Sequence, residues 1–105
     1  MGSDVLETEE FRNWMRMLLS HNPEDTLLAL AMGEEFKDNP EVIKLLPRMW
    51  WTSSPNKDIR FHIESFLDIG HGAEAYASPY ISAYAHIETS CDHRAVLHYR
   101  KKYLE

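Results

Sequence analysis

The sequence predicts an all-α fold, five to six short helices stacked as antiparallel pairs. Three observations carry that expectation. Only four glycines occur in 105 residues, and the alternation of half-buried strands is nearly absent. Apolar residues recur instead three and four positions apart, the spacing of one helix face. Four of the five prolines directly follow a helix-capping residue, in Asn22-Pro23, Asn39-Pro40, Ser54-Pro55 and Ser78-Pro79. An Asn or Ser side chain accepts an amide hydrogen that the first turn leaves unpaired, and the proline gives up an N–H that had no helical partner.

The first helix is expected from about Glu7 to Ser20, with Thr8 as a capping residue and Phe11, Trp14, Met15, Leu18 and Leu19 as one stripe. Asn22-Pro23-Glu24-Asp25 opens the second, its acids at the positive end of the helix dipole. It is expected to reach Phe36, with Leu27, Leu28, Leu30, Ala31 and Phe36 on its apolar side. Asn39-Pro40-Glu41 repeats that chemistry and starts the third, whose core positions are Val42, Ile43, Leu45, Leu46, Met49 and Trp50. Pro47 falls inside it and should kink it or tighten one turn. The twice-occurring Asn-Pro-Glu is therefore punctuation rather than a recognition motif. A fourth helix follows Ser54-Pro55, from about Asn56 to Ile69, with Ile59, Phe61, Ile63, Phe66 and Leu67 apolar and Gly70-His71-Gly72 as its expected terminator. Tyr76, Tyr80 and Tyr84 stand four apart on one helical face, a stripe expected to pack against the last helix; Ser78-Pro79 restarts or kinks that segment. Thr89 and Asp92 form a capping box for a final helix from about Ser90 to Tyr103, with Val96, Leu97 and Tyr99 as contacts.

The length fits one domain, with residues 1–6 expected as a flexible lead-in. A composition of 44% hydrophobic and 27% charged residues belongs to a folded chain rather than a disordered one. Charge is unevenly distributed. Residues 1–41 hold ten acids against three bases, a net of -7, and the rest hold seven acids against eight bases, a net of +1. An acidic front half argues against nucleic acid as a partner, since phosphate contacts need a basic face, and the short basic run Arg100-Lys101-Lys102 does not reverse that. Cys91 is the only cysteine, which precludes an intrachain disulfide and suits a reducing compartment. The N-terminus is acidic and polar where a secretory signal is basic and then apolar, and no apolar run approaches a membrane span. A cytoplasmic protein without membrane association is expected.

Residues 18–36 and 51–69, offset by 33, both read as helix end, polar turn, helix: Ser20 matches Ser53, Asp25 matches Asp58, Leu28 matches Phe61, and Phe36 falls opposite Ile69. Within residues 41–70, an apolar helix carrying Leu45-Leu46-Pro47, a polar turn, and a second apolar helix opened by Asp58-Ile59-Arg60 resemble a HEAT-type helical repeat. Residues 11–36 fit more loosely. Trp50 and Trp51 stand where that family carries smaller aliphatics, and His62-Ile63-Glu64 replaces its usual small residues. The resemblance implies a non-enzymatic scaffold or protein-binding surface, a partner that is another protein or a second copy of the chain, and no cofactor. Each helix pair of such an array must stack on a neighbour to bury its apolar face.

Candidate binding residues are Arg48, Trp51, Arg60, Tyr80 and Tyr84. Adjacent Trp50 and Trp51 point about 100° apart on a helix, so one of them, Trp51 near the turn, is expected to be partly exposed. Tryptophan beside arginine has the composition of an interface hot spot. The alternative is a small metal-binding or hydrolytic domain. Five of six histidines lie after residue 60, and His86, Cys91 and His93 supply imidazole and thiolate ligands. Their spacing matches no zinc pattern, and His93 and His98 diverge on a helix. Asp58 and His62, four apart, could pair and orient a general base, and Cys91 at a helix start could act as a thiolate; neither has an identifiable catalytic partner.

Overall fold

The computed structural model describes residues 8–53, 56–82 and 89–104, with side chains in the last stretch from position 93 onward. The expected lead-in 1–6, Ser54-Pro55, Tyr84, His86 and the side chains of Thr89, Cys91 and Asp92 lie outside the described residues. Within them the chain is all-α: α1 (Glu9–Leu18), α2 (Pro23–Met32), α3 (Pro40–Thr52), α4 (Lys57–Phe66), α5 (Ala73–Tyr76), α6 (Pro79–Ser82) and α7 (Thr89–Leu104), with a 3-10 turn at Glu34–Phe36 and no strand. None of these helices is long and apolar enough to cross a membrane.

The caps form as the sequence predicts. The Thr8 hydroxyl accepts the Phe11 amide at 3.2 Å. The side-chain oxygens of Asn22 and Asn39 accept the amides of Glu24 at 3.0 Å and Glu41 at 2.8 Å, with proline at the next position in both helices. α4 differs: its cap is Asn56, where the sequence pointed to Ser54, and the Asn56 side chain accepts the Ile59 amide at 3.1 Å. α3 continues through a fully buried Pro47 to Thr52.

Three boundaries differ from expectation. The second helix stops at Met32, not Phe36. The Trp14 indole N–H donates to the Ala29 carbonyl in its last turn at 2.7 Å, and the ring lies so close to Gly33 that a β-carbon there would collide with it. The fourth helix stops at Phe66, ahead of the glycines. Asp68 adopts a left-handed φ of 58°, the Asp68 amide bonds to the Ser65 carbonyl at 3.2 Å, and the Ile69 amide bonds to the Glu64 carbonyl at 3.0 Å. That is a Schellman-type ending, and aspartate is among the few non-glycine residues that accept it. The tyrosine stripe is interrupted at Ala77-Ser78, so Tyr76 and Tyr80 lie on separate short helices.

α1 packs on α2, α2 on α4, and α3 on α4, α6 and above all α7, which also touches α1. The ends of the chain are joined. Arg16 Nε donates to the Tyr103 carbonyl at 2.9 Å and Arg100 Nε to the Leu19 carbonyl at 3.0 Å, so each arginine covers the negative end of the other's helix. Thr26, buried, donates its hydroxyl to the Leu18 carbonyl at 3.1 Å and completes the end of α1. An aromatic cluster binds these layers: Trp14 stacks on Phe66 at 5.8 Å and meets Phe36 at 5.1 Å, while Phe11 meets Phe36 and Tyr103 edge-on at 5.3 and 6.2 Å. Leu28, Phe61 and Leu97, expected in the core, are instead more than half exposed.

α7 is anchored to the first turn of α3 by a hydrogen bond between Tyr99 and Glu41. Burial, helped by that bond and the Glu41 charge and opposed by Arg48, holds the Tyr99 phenol up to about 12. In the unfolded chain it titrates near 10. Between these values the unfolded chain loses the proton first, so stability is intact below pH 10 and falls as pH rises toward 12. Urea melts from pH 8 to 12 should show that decline, and Tyr99→Phe should flatten part of it. An identical slope in the variant would refute the assignment.

Candidate functional site

α4 begins on a capped turn beside the end of α3, so its first two turns face Trp50. Lys57, Arg60, Phe61 and Glu64 are spaced three and four apart and present one continuous stripe. With Trp50, His71, Gly72, Ala73 and Tyr76 they line an open cleft of about 650 Å³, within the range of ligand-binding clefts.

Glu64 organises the floor. It is 4% exposed, and its two carboxylate oxygens have separate partners. Oε2 accepts the Trp50 indole N–H at 2.8 Å; Oε1 accepts His71 Nδ1–H at 3.0 Å and, more weakly, the Gly72 amide at 3.4 Å. A carboxylate can only accept here, so the His71 proton resides on Nδ1. Gly72 reaches this position with φ of 63° and ψ of -122°, a conformation that side chains disfavour.

The walls are aromatic. Phe61 stacks on the His71 ring at 4.4 Å with 12° between planes. Tyr76 meets Trp50 and Trp51 edge-on at 5.8 and 5.1 Å, and the two tryptophans meet each other at 5.0 Å. Arg60 spans the rim. Its Nε donates to the Trp50 carbonyl at 2.9 Å, covering the end of α3, and its guanidinium lies 3.9 Å over the Trp50 ring. Burial lowers the Arg60 pKa from its ordinary value, with the charge of Glu64 and then Tyr76 pulling it back up. Phe61 and Tyr76 nevertheless remain 52% and 54% exposed.

Of the sequence-predicted binding residues, Arg60 lines this cleft. Trp51 borders it, half-buried behind Tyr76, its indole N–H donating to the Ile81 carbonyl at 2.9 Å. Trp50 is the buried member of the pair. Arg48 lies about 200° round α3 from Trp50 and acts on the Tyr99–Glu41 contact. Tyr80 is exposed on α6 and lies outside the lining, and Tyr84 is outside the described residues. Tyr76 turns to the tryptophans, where the sequence placed the whole tyrosine stripe against the last helix. Asp58 and His62 do not form a side-chain pair: His62 Nδ1 bonds to the Asp58 backbone carbonyl at 2.8 Å. His93 is exposed on α7, and no three His, Cys, Asp or Glu side chains converge as metal ligands among the described residues. His86 and the Cys91 side chain are outside them.

Sequence reasoning missed Lys57, Phe61, Glu64, His71 and Tyr76 as one site. The spacing on α4 was a signal, but His71 and Tyr76 join it only through the reversal at Asp68. No family model, curated protein or solved structure matches this chain.

Proposed function

We propose that this chain is a non-enzymatic protein-interaction module, with the helix pair α3–α4 as its HEAT-like unit and the aromatic cleft as its docking surface. The observation that supports this is the exposure of Phe61 and Tyr76, both lining one open cleft. Large aromatic surface left beside arginine is the composition that concentrates binding energy at protein interfaces. The buried carboxylate, by contrast, is committed on both oxygens to holding Trp50, His71 and Gly72 in place, which is architectural work rather than proton transfer. The HEAT-like reading draws on Leu45, Leu46 and Pro47, all buried on α3, and on Asp58-Ile59-Arg60 opening α4. A reducing cytoplasmic setting accords with the lone Cys91.

Phe61→Ser combined with Tyr76→Ser should abolish partner capture while leaving the fold intact, because both rings are largely solvent-facing. Quantitative affinity capture from cell extract, run beside circular dichroism, checks it. Equal recovery by the parent and the folded double variant would discard the cleft as the docking surface.

A further inference from the structure

We infer that the cleft's partner is an acidic protein segment in which carboxylates flank an aromatic or branched apolar side chain. This rests on the cleft being a docking surface and specifies what it docks.

The argument is one of charge complementarity. The protein carries a net charge of -6, yet the cleft is lined by two cations, Lys57 and Arg60, and one acid, Glu64. Glu64 is buried, and donors from Trp50, His71 and Gly72 already occupy both of its oxygens. Arg60 is committed only through Nε, to the Trp50 carbonyl, and through its face, to the Trp50 ring. Its terminal nitrogens have no hydrogen-bond partner among the described residues. Arg60 is also partly desolvated, and the neighbouring negative charge does not fully compensate that, so a carboxylate in the cleft would relieve it. A guanidinium held over an indole and engaged through Nε leaves its terminal nitrogens to make a two-point contact with a carboxylate. Lys57 precedes Arg60 by three residues on the same helix face and offers a second contact. Tyr76 and the stacked Phe61–His71 pair line the same cleft as this basic rim, and the cleft has room for about two or three side chains. An apolar side chain of the partner would pack on these rings while its flanking carboxylates meet Arg60 and Lys57.

The test uses the full chain, labelled with 15N, and three designed nine-residue peptides. One alternates glutamate with phenylalanine and leucine, the second replaces its glutamates by lysine, and the third replaces its apolar residues by serine. The acidic–apolar peptide should shift the Trp50 indole, Arg60 Nε and Gly72 amide resonances and bind at least tenfold more tightly than either counterpart. Added salt should weaken it, and Lys57→Glu, at an exposed position, should weaken it by about fivefold or more without changing the rest of the spectrum. If the lysine peptide binds equally well or better, or Lys57→Glu changes nothing, the acidic preference is wrong and the docking surface stands. If no peptide perturbs the cleft, or the shifts lie elsewhere, both the preference and the docking surface are lost.

Discussion

Trp14→Ala should lower stability by about 3–5 kcal/mol, the largest loss expected from any single side chain. Trp14 is 5% exposed and touches Phe11, Phe36 and Phe66, so its removal opens a cavity where α1, α2, α4 and the 3-10 turn converge. It also strips the Ala29 carbonyl of its donor at the end of α2. A domain of this size holds about 5–15 kcal/mol in all, so the variant should be close to unfolding at room temperature. Gly33→Ala tests the same contact from the other side. The added methyl would strike the indole, and overpacking of this kind costs about 1–3 kcal/mol. Urea denaturation monitored by tryptophan fluorescence reads both. A neutral Gly33→Ala would mean that the indole does not rest on that glycine.

Glu64→Ala should cost about 3 kcal/mol, because it leaves the Trp50 indole N–H buried without an acceptor and frees His71 and Gly72 from the cleft floor. Glu64→Gln keeps one carbonyl oxygen and should cost about 1 kcal/mol, the charge-assisted part of the interaction. The two effects share a partner, so Trp50→Phe combined with Glu64→Ala should cost less than the sum of the single changes. Urea melts of the four proteins give that coupling. Strict additivity would show that the Trp50–Glu64 hydrogen bond is not what holds the floor together. Loss of peptide binding in folded Glu64→Gln is not expected, since this carboxylate faces Trp50 and His71 rather than the rim.

Local chemistry was legible wherever the determinant was local. Thr8, Asn22 and Asn39 act within three residues of themselves, and their caps appear in the structure as hydrogen bonds from the amides of Phe11, Glu24 and Glu41. Phe11, Trp14, Met15, Leu18 and Leu19 form a buried stripe because helical spacing alone puts them together. Phe61 marks the limit. Its spacing reads as a core position, yet among the described residues it stays more than half exposed, and its ring neighbours there are His62 and His71.

The all-α class and the starts of the first three helices followed from the sequence by itself, since capping and periodicity are decided by neighbours a few positions apart. Where helix two stops was decided by tertiary structure, since an indole from α1 takes over its end; helix four ends on its own local turn at Asp68, whose consequence, His71 stacked on Phe61, is tertiary. The cleft belongs to that second kind of fact. Trp50, Glu64 and Tyr76 are separated by 14 and 12 residues along the chain, and only the packing of α3 against α4 and the return of the chain through α5 place one carboxylate, two cations and four aromatic rings around a common space.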